Sequence, residues 1–491
     1  MKLQKIIFLI LCLIGLNSCS KWIDVKPTDR LAEDLLYKNK EGYIKAISGV
    51  YSEMTNNSLY GRFMTAGAVD VLSQYYFINS TTNGYYNYTM FDYTQGNTKG
   101  GFDNAWKKAY ELIVNLNVII DRCGDSPSAV LPASYYGTVK GEALALRAML
   151  HFDLLRLFGP IWSETNKTLK TIPYTTGLKN EVTPLLTAEQ VINLIESDLN
   201  QAVILLQAAD PIIQEGVRNG SNTLGTNDLF YRQYRLNYFA AKALLARTYL
   251  WKGDKVKALA TAQDIIQSAK INGRDIFPFV TSSAATSSDK PDRMFSTEVL
   301  FSLYSSSRFK LYEDVFSPNQ EPFNRLTFNN SDNNMARVDN LYDDKNDYRY
   351  RIWENVNVGG KLILANQKFK DYNDAPGRFM MPLIRLSELY LIAAETTTNL
   401  DEAKQYLNKV RTNRNTFSLN PSDAVQLKNF ITAEYRKEFI GEGQMFYYYK
   451  RNASTMIPNH AALVGEKAMP LGNYRVPLPE SEISVRLSID K

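Results

Sequence analysis

Apolar residues recur every three or four positions through long stretches of this chain, and several stretches follow one another closely enough to pair. That pattern commits the chain to packed helices, because a 3.6-residue period brings such side chains onto one face. Residues 102–123 carry Trp106, Tyr110, Ile113, Leu116 and Ile120 on one stripe. Residues 135–158 follow and stop at Gly159-Pro160, where a helix ends naturally. Thr187 and Gln190 have capping-box spacing and open a predicted helix over 188–206. The spacing predicts further helices over 233–251, 255–269, 384–397, 401–412 and 424–439. Residues 59–93 and 270–383 read differently, being rich in Gly, Ser, Asn and aromatics with short extended runs. The expected fold is mostly α, one domain over 30–491 with long excursions around 59–101 and 270–383.

The first residues bear on compartment. Lys2 and Lys5 precede an apolar run over 6–16, which Leu16-Asn17-Ser18-Cys19 closes. The run is too short to span a bilayer, which takes roughly 20 apolar residues, and its layout is that of an export signal. The closing cysteine resembles the lipobox of bacterial lipoproteins. A lipoprotein signal peptide over 1–18, lipidation at Cys19 and a lipidated tether over 19–29 are therefore expected, with the membrane reached through the lipid anchor.

Composition narrows the chemistry. The formal charge of +5 over 491 residues falls to +3 once Lys2 and Lys5 leave, and no long basic run exists, so nucleic acid is not an expected partner. Of three cysteines, Cys12 leaves with the signal and Cys19 carries the lipid; Cys123, ending an apolar helix, reads as a buried inert thiol. Two histidines, His151 and His460, give little material for zinc sites or imidazole catalysis. Phosphate-loop, dinucleotide, H-E-x-x-H, C-x-x-C and G-x-S-x-G patterns are absent. Arg385, Glu388 and Glu395 fall near one helix face, and Glu438 and Glu442 lie four apart. Acids in such settings read as ion-pair links between helices, although a glycosidase needs only two well-placed carboxylates. The chain reads as a binding protein, not an enzyme, with no cofactor and no metal expected.

The 31 tyrosines point to a surface that handles polar ligands such as sugars. Residues 75–93 hold Tyr75, Tyr76, Phe77, Tyr85, Tyr86, Tyr88, Phe91 and Tyr93, where the average composition would place about two aromatics. Asn83-Gly84 predicts a hairpin turn, followed by a strand with Tyr86 and Tyr88 on one face and Tyr85, Phe91 and Tyr93 on the other. Flat phenol rings suit the C–H face of a sugar, and Asn79 and Asn87 can bond its hydroxyls. The candidate ligand residues are Tyr75, Tyr76, Tyr85, Tyr86, Tyr88 and Asn87. Tyr304 joins them from a second aromatic excursion with Phe309, Tyr312, Phe316 and Phe323, for which core packing is the favoured reading. Packing of these tyrosines against the scaffold is the competing reading of the first cluster, and Trp353 divides equally between a packed place and a stacking platform.

Leu245-Ala246-x-x-Tyr249-x-x-x-Gly253-Asp254-x-x-x-Ala258 falls on the tetratricopeptide pattern, and Ala393, Ala394 and Ala403 repeat it without the glycine. The order of motifs then resembles the SusD/RagB family of outer-membrane nutrient-binding lipoproteins. Asp24-Val25-Lys26-Pro27, Trp106-x-x-x-Tyr110-x-x-Ile113-x-x-x-Asn117 and Arg147-Ala148 with Phe152-x-Leu154-x-Arg156-x-Phe158-Gly159 carry its early part. Ile172-Pro173-Tyr174, Arg385-x-x-Glu388, Leu407-Asn408-x-Val410-Arg411, Glu438-Phe439-Ile440-Gly441-Glu442-Gly443 and Pro477-Leu478-Pro479-Glu480 carry the rest. Tyr435 and Tyr448 depart from an Arg and an Asp common in that family. The resemblance implies a tetratricopeptide-like, SusD-like scaffold at the outer membrane, facing the cell exterior. It also implies oligosaccharide capture and delivery to a TonB-dependent SusC-like transporter. It transfers no ligand residues. Peptide or glycopeptide capture and a protein-only adaptor are the alternatives.

Overall fold

The computed structural model describes residues 34–178, 182–220, 228–328 and 334–489. The expected signal peptide, Cys19 and the tether lie outside them. In the N-terminal half, α1 (Lys40–Met54) and α2 (Gly96–Cys123) pack beside α3 (Ala133–Phe158), which lies along α4 (Ala188–Ala209). Burial over nearly its whole circumference makes α3 the central post. Gly141 sets the approach of α4, since a Cβ there would stand 2.8 Å from Leu206 Cγ. The capping box forms as its spacing predicts: Thr187 accepts from Gln190 N, and the Gln190 side chain accepts from Thr187 N.

The tetratricopeptide-like units are present as two stacked pairs. The first is α5 (Tyr238–Trp251) with α6 (Lys255–Ser268); Ala246 and Ala258 are fully buried, and Gly253 turns at φ 80°. The second is α7 (Leu386–Thr396) with α8 (Leu400–Thr412), and α6 packs on α7. Its turn lacks glycine and is closed by Asn399, whose side chain accepts from Asp401 N and Glu402 N. α9 (Ala424–Glu438), α10 (Met445–Arg451) and α11 (Glu480–Ile489) complete the main helices. Several boundaries differ from the periodicity: α2 starts at Gly96 rather than 102, and α4 runs to Ala209 rather than 206. Residues 233–237 precede α5, because Arg232–Tyr234 is a 3-10 turn and the Asn237 side chain caps at Ala240 N. Ile384 and Arg385 belong to a strand, having found partners in a distant segment.

That strand, β4 (Met380–Arg385), runs antiparallel to β1 (Val299–Tyr304); β2 (Trp353–Val358) and β3 (Lys361–Asn366) form a hairpin closed by Gly359 and Gly360 at positive φ. The predicted hairpin at Asn83-Gly84 does not form. The Asn83 side chain instead accepts from Tyr85 N at 2.8 Å, and Tyr86–Thr89 is one helical turn. Nearby backbone donors go to other segments, Phe77 N to Thr327 O and Ile78 N to His460 O, leaving no strand partner. Among the described residues, no helix is long and apolar enough to cross a membrane.

Charged side chains weld the 270–383 excursion to the C-terminal helices. Arg349, Lys368, Arg385, Arg411, Arg414 and Lys437 interlock with Glu298, Asp343, Asp347, Glu434, Glu438 and Glu442. The charges balance, as burial at this depth requires. The arginines hold Glu438 well below the usual carboxylate range and Glu434 at about 2, against burial that acts the other way. The two remaining acids link other helices: Glu388 takes Arg247, at 2.7 and 2.6 Å, and Glu395 takes Arg451. These acids are structural ties, as their setting in the sequence implies.

Candidate functional site

A cleft of about 720 Å³ opens where α1, the segment before α5 and the end of β1 meet. Ser48 and Tyr51 come from α1, Phe230, Tyr231, Tyr234 and Arg235 from the segment, and Tyr304 closes β1. It adjoins a hollow of about 1080 Å³ and shares Asn219 and Tyr234 with it. The volume falls within the range of small-ligand sites, roughly 300–1,000 Å³.

Buried contacts hold each wall. Gln233 Nε2 donates to the carbonyls of Ser296 at 3.0 Å and Val299 at 2.8 Å, and Asn237 Nδ2 to Leu300 O at 2.7 Å. These bonds fix β1 against the segment and so fix Tyr304, which is 53% exposed. The Tyr304 ring meets Tyr234 edge-on at 5.5 Å and Phe379 at 5.3 Å. Burial pushes the Tyr234 phenol up to about 12, so it stays a neutral hydroxyl. Tyr231 is left-handed, at φ 55° and ψ 38°, a conformation rare for a bulky residue. Its N–H donates to Arg218 O at 2.9 Å, and Tyr234 N donates to its carbonyl at 2.8 Å. Backbone strain of this sort concentrates at ligand sites. Tyr51 OH donates to Glu142 at 2.9 Å and accepts from Leu236 N at 2.8 Å. The cleft thus offers fixed aromatic faces with Asn219, Asp228, Arg235, Ser48 and Ser52 among them, a surface for stacking and hydrogen bonding.

The residues anticipated as ligand contacts divide sharply. Tyr75, Tyr76 and Tyr88 are core: Tyr75 OH donates to Arg436 O, Tyr76 OH to Asp70 and Tyr88 OH to Asn97 O. Their rings are unavailable as platforms, because aromatic density here packs helices together. Tyr85 and Tyr86 are half-buried, and the Asn87 side chain donates to Asn97 Oδ1 at 2.9 Å. The two aromatic excursions do meet, as Gly84 N donates to Phe323 O at 2.8 Å and Asn83 Nδ2 to Pro322 O at 3.3 Å. Phe323 is exposed beside that junction, Phe316 is buried, and Trp353 packs on Phe328 at 3.8 Å. Tyr304 alone of the anticipated residues lines the cleft. Tyr231, Tyr234 and Arg235 were not anticipated, although Phe230, Tyr231, Tyr234, Tyr238 and Phe239 make an aromatic run that marks the place.

Cys123 and His151 are buried away from the cleft. Burial pushes the Cys123 thiol up to about 12, and it holds His151 neutral, down to about 3. His151 stacks on Tyr174 at 3.9 Å, accepts from Thr175 N and faces Arg147 O.

Two family profiles match in tandem: one described as "Starch-binding associating with outer membrane" over residues 21–215, and one described as "SusD family" over residues 218–485. Curated relatives include SusD-like protein P25 of Formosa agariphila, 26% identical over 33% of this chain and 32% of its own length. SusD-like protein P2 of the same organism is 25% identical over 55% of this chain and 47% of its own length. The chain therefore spans less than half the length of these relatives. A SusD superfamily protein from Bacteroides thetaiotaomicron shares the fold, with TM-score 0.66, 22% identity and coverage of 91% of this chain and 98% of that one. So does a SusD-like carbohydrate binding protein from Bacteroides vulgatus, with TM-score 0.67, 18% identity and coverage of 91% and 96%. The tandem profile matches, over a scaffold of stacked helical pairs with long excursions, make this chain a member of the SusD family.

Proposed function

We propose that the protein captures an oligosaccharide in the cleft beside Tyr304 and passes it to a TonB-dependent SusC-like transporter of the outer membrane. It is held there by lipid on Cys19 and faces the cell exterior. The observation that carries this reading is the set of fixed tyrosine faces, Tyr304, Tyr234 and Tyr231, around one ligand-sized cleft with polar side chains between them. The family descriptions and the carbohydrate-binding name of one structural neighbour support the ligand class. Recognition needs stacking and hydrogen bonds alone, and capture followed by release favours modest affinity.

The test is calorimetric titration of the purified protein with a panel of oligosaccharides and peptides, repeated for Tyr304→Ala and for Tyr85→Ala. Saturable glycan binding that falls about tenfold or more in Tyr304→Ala, with Tyr85→Ala unaffected, supports the reading. Binding of peptides alone would replace the ligand class. Silence across the panel would favour a protein-only adaptor.

A further inference from the structure

Arg235 stands in the cleft wall. Among the described residues it makes no ion pair, and its side chain makes one hydrogen bond, from Nη2 to Ser48 Oγ at 2.8 Å. Its Nη1 is buried and meets no acceptor. Neighbouring arginines differ: Arg232 is clasped by Asp210 and Glu142, and Arg218 is paired with Glu215. Asp228, the acid lining the same cleft, is engaged elsewhere, 3.6 Å from Lys40 Nζ and accepting from Tyr135 OH at 3.3 Å.

The guanidinium is also held in place. It lies 4.6 Å over the Tyr51 ring, and Tyr51 is itself pinned at its hydroxyl by Glu142 and Leu236 N. An arginine held in a cleft wall with donor capacity left over can pair with an oxyanion. We infer that the ligand is an acidic carbohydrate whose carboxylate or sulfate pairs with Arg235 while a sugar ring rests on Tyr304. This inference rests on the carbohydrate-binding reading and names the class of sugar within it.

Calorimetry separates the two ideas. Tetragalacturonate is titrated beside its methyl ester, and a sulfated galactan tetrasaccharide beside its desulfated form, so that carboxylate and sulfate are scored independently. The acidic member of at least one pair binds about tenfold tighter than its neutral counterpart. That advantage shrinks when salt rises from about 50 to about 500 mM. Arg235→Gln removes the charge and brings the acidic member of the pair down to the affinity of its neutral counterpart in the same variant. Arg235→Lys keeps the charge without the fork and retains part of the advantage. Equal affinity for acidic and neutral forms, both lost in Tyr304→Ala, overturns the inference and leaves the carbohydrate reading standing. An acid preference that survives Arg235→Gln, in a variant whose melting is unchanged, overturns the assignment to Arg235. Absence of all carbohydrate binding removes both.

Discussion

Arg414 grips Glu298 through both terminal guanidinium nitrogens, at 2.8 and 2.7 Å, and neither side chain is exposed. Arg414 follows α8, and Glu298 immediately precedes β1, the strand that ends at Tyr304. The contact therefore ties the second helical pair to the wall of the cleft. Glu298 also accepts from Val280 N at 3.2 Å, and Arg414 also donates to Glu438 at 2.6 and 3.1 Å.

Removing one partner leaves the buried cluster one charge out of balance. Glu298→Ala is expected to cost about 3–5 kcal/mol in denaturant unfolding. The double variant Glu298→Ala, Arg414→Leu should lose less than the sum of the two single changes, because it leaves neither charge unpaired. Additive losses would mean that the pair is not coupled.

Tyr435 and Tyr448, where the family commonly has an Arg and an Asp, face each other with ring centroids 4.5 Å apart and planes at 36°. This buried contact is aromatic, where the family resemblance leads one to expect an Arg and an Asp. Tyr435→Arg alone should destabilise by about 3 kcal/mol or more, since it buries a charge without a partner. Adding Tyr448→Asp should recover a substantial part of that loss. Thermal melting of the single and double variants decides the matter; no recovery would show that the surroundings, with Glu395 and Arg451 nearby, do not accept the pair.

Asp70 gives the fold a pH dependence. It is fully buried, accepting from Tyr76 OH at 2.6 Å and from the amides of Gly441 and Gly443 at 3.0 and 3.3 Å. Burial pushes its carboxyl up to about 7, although those hydrogen bonds act the other way. The folded state thus keeps a proton that the unfolded chain gives up near pH 4. Its contribution is full below about pH 4 and is lost as pH rises through about 7, an effect on the order of a few kcal/mol. Measured against Asp70→Asn, which removes this component, the melting temperature of the unmodified protein should fall between about pH 5 and about pH 8.

Tyr231→Gly separates strain from recognition. Glycine adopts positive φ without cost, so the variant should keep its stability to within about 1 kcal/mol while losing a cleft wall. Glycan affinity is expected to drop about tenfold with little change in denaturation midpoint. Unchanged affinity would place Tyr231 outside the contact surface.

The scaffold was legible because its determinants are local. The Thr187 capping box, the Gly253 turn and the small contact residues Ala246 and Ala258 each act within a few positions. Misreadings fall where distant partners decide. Arg385 sits at the start of a helical pattern but pairs as strand with Val299, and Asn83-Gly84 serves a loop whose amide reaches Phe323. Of the cleft proposed as the site, only Tyr304 was named from the sequence. Aromatic density marked Tyr75, Tyr76 and Tyr88 as strongly as any exposed ring, because composition does not distinguish a ring that fills a core from one that meets a ligand. Tyr234 and Arg235 were absorbed into a helix predicted over 233–251 whose true start lies at Tyr238, and Tyr231 lies just before that prediction.

A crystal structure of the protein with a bound oligosaccharide from the binding panel tests the central claim most directly. The account predicts a sugar ring lying on Tyr304 within the cleft, with Tyr231 and Tyr234 beside it. Density seated instead on Tyr85, Tyr86 and Phe323, where the two aromatic excursions meet, would contradict it.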